Sequence, residues 1–450
     1  MAGMVRGKAL DFAQVMHSVR EVLEQLPDAR RGKNLHYRMV DAGLSAFSVF
    51  FMQCSSFLEY QRRMQQEQGR NNVQSIFGAH DIPSDNQIRN LLDAVPPQTL
   101  QPLYEQLLQG LMAQGVIDGY RTLQGKVLLA LDGVTYFSSS KLHCAQCSQR
   151  HHAGRTLYSH TALTPVLVQP GQSKVVALAP EFVTPQDGSA KQDCELNAAQ
   201  RWLQRHGARW AEFGAVVLGD DLYCHEPFCR ALRAQGLDFV LVCKPDSHAT
   251  TYEWLQMLER SGDVRSMTIR RSNGRRIYLD HYRWASALPL RDADAALTVD
   301  WCELSSTDEE GKVLYRNSFA SSLPIDETNV HQIVAAGRAR WDEFPQIISD
   351  DTFARLQFQE PERFLVDAPY EWPLVEGFSP LVRVRRRQDQ GVAEIARLFP
   401  DLPARQGHVR PDRGELLRLA AADPVGFAVY AAVALAVRTG RNKQEWARGR

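Results

Sequence analysis

The sequence predicts an α/β protein built around a mixed β-sheet, and three patterns along its 450 residues indicate this. Apolar residues recur at helical spacing through residues 1–125. Short apolar runs alternate with helical segments through residues 126–261, and polar and apolar residues alternate through much of residues 262–325. We therefore expect a helical N-terminal domain, an α/β core and a β-rich insertion, in that order along the chain.

The N-terminal domain is expected to consist of several short helices. Residues 44–58 are strongly apolar and are typical of a core helix. Ser84 is a suitable N-cap for a further helix, because its hydroxyl can accept a hydrogen bond from a free backbone N–H. Such a domain either binds DNA ends through surface arginines, with Arg62 and Arg63 as candidates, or serves only for packing. The sequence alone leaves both interpretations open.

The core is predicted from a regular alternation of strands and helices. Three strand-like runs are followed by a helix, a strand, a helix and a strand, and this order matches a ribonuclease-H-like mixed sheet. The first and fourth strands are neighbours in that fold, so Asp132 and Asp220 would face each other. The predicted elements are strands at 127–134, 163–169 and 174–183, a helix at 193–204, a strand at 215–220, a helix at 226–235 and a strand at 238–243.

The rest of the chain divides into an insertion, a returning helix and a divergent end. Residues 262–325 read as a β-rich insertion, in which Asn273-Gly274 predicts a type I′ hairpin turn. Helical periodicity returns over residues 326–344 and completes the core. Residues 345–450 form a divergent C-terminal region rich in proline, for which the sequence gives no role.

Composition limits the classes of partner and compartment. Lys plus Arg equals Asp plus Glu at 52 each, so a DNA-binding face must be a local basic patch. Eight cysteines are too few for a secreted disulfide scaffold of this length. The N-terminus lacks an apolar signal core, and the longest apolar run, residues 425–437, is too short to cross a bilayer. We expect a cytoplasmic protein with no membrane partner, and a DNA-binding function would make it nucleoid-associated.

Two acidic residues are the leading candidates for chemistry. Asp132 and Asp220 each end a short apolar strand. Rigid strands hold carboxylates at a fixed separation, and hard cations such as Mg²⁺ bind oxygen ligands, so the pair favours metal-assisted phosphoryl chemistry. The adjacent Asp221 should point to the opposite face of its strand. The alternative is that these acids are ordinary turn or capping residues, which are common at strand ends.

A second candidate metal site is suggested by Cys144 and Cys147, which have the Cys-x-x-Cys spacing of a zinc knuckle. No second Cys-x-x-Cys pair follows them. A loop that carries two reduced thiols is therefore the simpler interpretation, and zinc is the alternative.

Six stretches of the chain are distinctive when their order and spacing are taken together. They are Ser84-Asp-Asn-Gln-Ile-Arg-Asn-Leu-Leu92, Leu131-Asp-Gly-Val-Thr-Tyr136, Pro185-Gln-Asp-Gly188, Lys191-Gln-Asp-Cys-Glu195, Leu218-Gly-Asp-Asp-Leu-Tyr-Cys224 and Gly337-Arg-Ala-Arg-Trp341. In this order and spacing they are similar to bacterial insertion-sequence transposases of the DDE, ribonuclease-H-like superfamily. The branch concerned carries a β-rich insertion between its second and third catalytic acids, and the similarity covers roughly residues 45–341.

This resemblance implies an enzyme that cleaves and joins DNA at insertion-element ends, that is, cut-and-paste DNA transposition and recombination. Mg²⁺ or Mn²⁺ would be held by Asp132, by Asp220 and by a glutamate. Tyr223 would occupy the family's Asp-x-x-Tyr position, and Arg340 would contact DNA. The implied partners are double-stranded DNA, both element ends and target, and a second copy of the chain in a synaptic homodimer.

The third acid departs from the family pattern. That pattern places a glutamate four residues after Arg340, where this chain has Phe344, and Glu343 comes one residue early. A shift of one residue along a helix rotates the side-chain direction by about 100°, so Glu343 would not point where the glutamate of the family pattern points. Either the lineage uses Glu343, or the gene is frameshifted and its product is an inactive remnant that only binds DNA. A metal-dependent nuclease of the same fold is a further alternative.

Overall fold

The computed structural model describes residues 10–31, 36–51, 73–152, 155–172, 174–185, 192–272, 277–340 and 424–439, together with six positions between 382 and 393. Internal contacts divide the chain into two units, Met1–Glu343 and Phe344–Arg450. The first unit contains helices and a mixed sheet, so the predicted α/β class is confirmed.

The N-terminal part is helical, as predicted, over the residues that the structure describes. The side-chain oxygen of Ser84 accepts a hydrogen bond from the Gln87 N–H at 3.3 Å, which confirms the predicted N-cap. Met16, Val19 and Leu44 form part of one apolar cluster that joins the first two helices. The α-helices among the described residues are α1 (Phe12–Glu24), α2 (Met39–Phe51), α3 (Asp85–Leu92) and α4 (Gln101–Ala113), and single turns lie at Val73–Phe77, Pro97–Leu100, Ile117–Tyr120 and Leu123–Gly125.

A nine-stranded sheet forms the centre of the first unit. Its strands are β1 (Leu128–Ala130), β5 (Val166–Val168), β6 (Val176–Ala177), β8 (Val216–Gly219), β9 (Asp238–Val242), β10 (Arg265–Ser272), β11 (Ile277–Pro289), β12 (Thr298–Asp308) and β13 (Val313–Ser321). From one edge to the other they run in the order β10, β11, β12, β13, β9, β8, β1, β5 and β6. Strands β1, β8 and β9 are parallel to one another, whereas all other neighbours are antiparallel.

The predicted neighbourhood of the first and fourth core strands is observed. Strands β1 and β8 pair in parallel, with Leu128 opposite Val216 and Ala130 opposite Leu218. All seven residues of the two strands are buried, because helices cover both faces of a parallel sheet. This explains why both strands read as continuous apolar runs.

A second, four-stranded sheet was not predicted. It consists of β2 (Gly133–Ser139), β3 (Ser148–His152), β4 (Arg155–Leu163) and β7 (Glu181–Phe182), with β4 paired to each of the other three. Strand β2 follows β1 after two residues, and β5 follows β4 after two residues. The two sheets therefore share one antiparallel ribbon that bends at Asp132, where the backbone N–H of Thr164 donates to the Asp132 carbonyl at 2.9 Å.

Four helices flank the core strands. Trp202 and Trp210 of α5 are each 1% exposed and lie in the main apolar cluster. Replacing a tryptophan of this kind by alanine costs about 3–5 kcal/mol of folding free energy. Buried packing on this scale fixes α5 against the sheet. The helices are α5 (Glu195–Glu212), α6 (Glu226–Ala234), α7 (Ala249–Ser261) and α8 (Val330–Ala339).

The predicted β-rich segment, residues 262–325, consists of strands β10 to β13, with the predicted Asn273-Gly274 turn outside the described residues. Strand β13 pairs with β9, so these strands extend the central sheet. In the second unit, α9 covers Pro424–Thr439. Among the described residues, no helix combines the length and apolarity that crossing a membrane requires.

Candidate functional site

Asp132 and Asp220 lie side by side at the carboxyl ends of β1 and β8. The Leu131 N–H donates to the Leu218 carbonyl at 2.9 Å, so the parallel ladder continues one residue beyond Ala130. One further step in the same register sets Asp132 level with Asp220. Hydrogen-bonded strands are about 4.8 Å apart. Both acids are partly exposed and therefore accessible to a ligand.

The two carboxylates interact electrostatically. Burial raises the pKa of Asp132, the positive charge of Arg340 lowers it, and the negative charge of Asp220 raises it further. The net effect is a pKa above the ordinary value for aspartate. Asp132 therefore lies within the field of a second acid, as expected for two ligands of one cation.

A third carboxylate, Glu195, lies beside this pair. Glu195 is the first residue of α5 and is partly buried. Burial raises its pKa, the hydrogen bond from Tyr223 lowers it, and the charges of Asp132 and Asp220 raise it again. The pKa of Glu195 is thus raised in part by both predicted acids, so the three carboxylates lie within electrostatic range of one another.

Glu195 was not among the residues predicted to form the site. An acid in the first turn of a helix ordinarily interacts with the helix dipole, so its position alone carried no functional signal. The useful signal was its place in the stretch Lys191-Gln-Asp-Cys-Glu195, one of the six that resemble the transposases.

Tyr223 holds the Glu195 carboxylate in place. Its hydroxyl donates to Glu195 Oε1 at 2.5 Å, and its side chain is fully buried. Burial and the negative charge of Glu195 both raise the pKa of Tyr223, so the phenol stays protonated and remains a donor. The backbone N–H of Tyr223 donates to the Asp220 carbonyl at 3.1 Å, which ties this tyrosine to the second acid through one turn.

Gly133 provides the space that the Glu195 carboxylate occupies. A Cβ atom at residue 133 would lie 2.1 Å from Glu195 Oε2 and 2.2 Å from its Cδ. Only a residue without a side chain permits this approach. The backbone N–H of Gly133 also donates to Asp132 Oδ1 at 3.0 Å, so one glycine contacts two of the three acids.

Arg340 is the cation of the site. Its Nη1 lies 3.7 Å from Asp132 Oδ2, and its side chain is only 4% exposed. Arg340 follows α8 directly, and this helix packs against the central sheet. The predicted DNA contact of Arg340 would require exposure, whereas here its guanidinium partly neutralises Asp132.

Asp221 faces away from the three acids. Burial would raise the pKa of Asp221, but its interactions with His248 and Ser247 and the hydrogen bond from the Lys244 backbone N–H lower it to about 2. The distance from the Lys244 nitrogen to Asp221 Oδ1 is 2.7 Å. Asp221 is thus engaged in the structure of the protein on the opposite face of the turn.

A polar cavity of about 390 Å³ opens beside Glu195. One wall is the second sheet and the other is the start of α5. Hydroxyl and amide groups are frequent in its lining, including Thr135, Ser159 and Gln192, and its charged side chains are Arg150, Asp193 and Glu195. The hydroxyl, amide and guanidinium groups can donate hydrogen bonds to anionic oxygens. The acidic site therefore opens into a polar groove that carries charges of both signs.

The remaining predicted residues are distributed as follows. Glu343, Arg62 and Arg63 lie outside the described residues. Cys144 and Cys147 lie between β2 and β3, where they meet His160 of β4, a residue that the sequence prediction did not include.

The donor set at Asp132, Asp220 and Glu195 is of the chemical type that binds a divalent hard cation, although in this structure no set of one oxygen from each of these three side chains lies within 4.8 Å of one another. All three ligands offer oxygen, as Mg²⁺ and Mn²⁺ prefer. When ionised they carry three negative charges against the single positive charge of Arg340, which leaves two uncompensated among these four side chains. A bound divalent cation would balance that charge.

Comparison with known proteins gives no family: no family model matches the chain, and no curated protein matches it.

Proposed function

We propose that this chain is a metal-dependent polynucleotidyl transferase of the DDE type that cleaves and joins DNA as an insertion-element transposase. One observation carries the proposal: Asp132 and Asp220 are level at the ends of adjacent parallel strands, and the Glu195 carboxylate lies against Gly133, the residue that follows Asp132. Carboxylates that a rigid sheet holds near one another are the ligands that metal-assisted phosphoryl transfer uses.

The ribonuclease-H-like assignment is part of this proposal. It is supported by the order of elements, by the antiparallel pairing of β1 with β5 and β5 with β6, and by the parallel placement of β8 beside β1. It is also supported by the six motifs that resemble the transposases. Four of these motifs contribute residues to the site, namely Asp132, Glu195, Asp220 with Tyr223, and Arg340.

In this proposal Glu195 replaces the displaced glutamate as the third ligand. Glu343 is one residue out of register with the family pattern, whereas Glu195 already lies beside the other two acids. Asp132, Asp220 and Glu195 would hold the divalent cation, with Mn²⁺ able to replace Mg²⁺. The bound cation would supply Lewis-acid polarisation of the scissile phosphate and a lowered pKa for a coordinated water.

The protein's own residues orient and charge-balance the ligands. Tyr223 donates to Glu195 Oε1, which fixes the carboxylate plane. Arg340 reduces the repulsion between Asp132 and its neighbours. The raised pKa values of Asp132 and Glu195 mean that protons compete with a cation for the same oxygens at acidic pH.

The DNA backbone would pass along the polar cavity. Arg150 can pair with a phosphate there, and Gln149 and Gln192 add side-chain amides. The Gln149 backbone N–H donates to Gln192 Oε1 at 2.9 Å, which joins the two walls at this point. Affinity that comes from phosphate contacts should fall steeply as salt concentration rises.

The decisive experiment uses a supercoiled plasmid that carries the DNA flanking this gene in its genome. Purified full-length chain is incubated with Mg²⁺ or Mn²⁺, and nicked, linear and joined products are measured. The variants are Asp132→Asn, Glu195→Gln and Glu343→Gln, and Glu310→Gln at an exposed turn is the matched control. We expect loss of all products for the first two variants and retention for Glu343→Gln and the control.

The products distinguish the proposed function from its alternatives. Strand joining supports a transposase. Cleavage without joining indicates a nuclease of the same fold, and binding to the flanking DNA without cleavage indicates an inactive remnant. Wild-type activity in Glu195→Gln together with its loss in Glu343→Gln would contradict the assignment of the third acid.

A further inference from the structure

We propose that Cys144, Cys147 and His160 bind a zinc ion that fastens the loop between β2 and β3 to β4. The three ligand atoms lie close together. Cys144 Sγ is 3.8 Å from Cys147 Sγ, and His160 Nε2 is 3.4 Å from the first sulfur and 3.3 Å from the second. This inference is independent of the phosphoryl-transfer proposal.

These separations match the edges of a zinc tetrahedron. With Zn–S of about 2.3 Å and Zn–N of about 2.0 Å, tetrahedral angles require about 3.8 Å between two sulfurs and about 3.5 Å between sulfur and nitrogen. All three distances agree to about 0.2 Å, within the tolerance for a metal site. A disulfide is excluded here, because bonded sulfurs would be about 2.05 Å apart.

The loop backbone is shaped around the sulfurs. The Gln146 N–H donates to Cys144 Sγ, and the Cys144 N–H donates to Cys147 Sγ, each at 3.3 Å. The Cys147 N–H closes the turn on the Cys144 carbonyl at 3.2 Å. Backbone donors aimed at sulfur stabilise thiolates, which are the form that binds zinc. The turn therefore places both sulfurs where a backbone N–H can support the thiolate form.

Strand register explains why His160 is the third ligand. Ser148 of β3 pairs with Ser159 of β4, so one further step of the same antiparallel register sets Cys147 opposite His160. The His160 ring also stacks on Tyr136 of β2, with ring centres 5.8 Å apart and planes 13° apart. The imidazole is thus positioned by both neighbouring strands.

The structure assigns three protein ligands, and the fourth position goes to water or to His143. The His143 ring precedes Cys144 directly and stacks on Tyr158 at 4.3 Å. Its Nδ1 is 3.3 Å from the Lys141 carbonyl. The His143 ring would have to rotate before one of its nitrogens could coordinate the zinc. The zinc content of the His143→Ala variant measures whether this ligand is used.

A second cysteine and histidine group, Cys224, Cys243 and His248, is a weaker candidate. All three side chains are buried in the core. His248 Nε2 already lies 3.4 Å from Asp221 Oδ1, so this group has a structural explanation without a metal.

The test begins with the metal content of the untagged full-length chain, purified from zinc-supplemented medium. We expect one zinc per chain in the wild type. Cys147→Ser and His160→Ala should lose most of it, and Cys194→Ser, which removes an exposed thiol outside the group, should retain it. Zinc that persists in a Cys144→Ser/Cys147→Ser double variant would overturn the proposal and point to the buried group.

A second measurement on the wild-type chain protects the test against variants that fail to fold. The chain is stripped with chelator, divided, and treated with iodoacetamide with or without added zinc, and the modified cysteines are mapped by mass spectrometry. Zinc should protect Cys144, the exposed thiol of the pair, at least about tenfold, because a coordinated thiolate reacts slowly, while the exposed Cys194 remains reactive. Equal labelling of Cys144 with and without zinc would refute the site.

Discussion

Replacing Gly133 by alanine is expected to remove most of the catalytic activity while leaving the protein folded. The new Cβ would lie 2.1 Å from Glu195 Oε2, whereas real contacts stay above 3.0 Å. The carboxylate must therefore move by at least 0.9 Å, the difference between these two distances. A misplacement of about 1 Å at a reacting centre costs roughly a hundredfold in rate.

The effect on stability should be small, because the displaced atoms are the end of a flexible side chain. The main loss is the hydrogen bond from Tyr223 to Glu195 Oε1. Such a bond contributes about 1 kcal/mol net, and leaving a buried donor unpaired costs up to about 3 kcal/mol. We therefore expect a folded variant with a lower melting temperature and an activity loss far larger than that change explains.

The assay measures the initial rate of plasmid cleavage with Mg²⁺, together with the thermal unfolding midpoint of each variant. Gly119→Ala is the matched control, since a Cβ at residue 119 meets no atom within 4 Å. Wild-type cleavage rates in Gly133→Ala would refute the role of Glu195, provided that Asp132→Asn is inactive in the same assay.

Three further predictions concern pH, hydrogen bonding and a structural carboxylate. The pKa values of Asp132 and Glu195 are raised, so the metal-free fold favours their protonated forms. The stability that this contributes is present at acidic pH and is lost as the pH rises through the two raised pKa values. Added Mg²⁺ should therefore raise the melting temperature little near pH 5 and more near about pH 8, and an equal rise at both would contradict the site. Tyr223→Phe removes a hydrogen bond that lowers the pKa of Glu195, so the acid limb of the cleavage-rate profile should move to higher pH with a loss of about tenfold in rate at neutral pH; an unmoved limb would argue against this contact. Asp221→Asn should lower the free energy of unfolding by about 2 kcal/mol at neutral pH, as measured by urea unfolding. The folded-state pKa of about 2 means that the ionised carboxylate stabilises the fold above pH 3.8 and that this stabilisation is lost as the pH falls through 2. An unchanged urea midpoint would show that the interaction of Asp221 with His248 contributes nothing.

The local elements of the core could be predicted because burial on both faces leaves a simple pattern. The apolar runs that became β1 and β8 marked two strands, and their parallel pairing followed from the order of elements. The Ser84 cap was predictable for a different reason: capping depends only on residues that are near in sequence.

The parts that escaped prediction depend on contacts distant in sequence. Glu195 reaches the other acids from the start of a helix, and His160 meets Cys147 from the next strand but one. The second sheet was missed because β2 and β4 are largely exposed or partly buried and show no apolar run. The pairing of β2 with β4 is set by the antiparallel ribbon that continues from β1 and β5 of the central sheet.

That shared ribbon has a mechanical consequence. Residues 131 and 132 are the whole connection between β1 and β2, and the Thr164 N–H clamps the bend from the opposite strand. No loop lies there to absorb motion. A molecule that bound against the outer sheet and flexed it would transmit that movement to Asp132 through these two residues, and the position of the Asp132 carboxylate would change with it. Occupancy of the groove and alignment of the acids would then be coupled through a single bent hairpin.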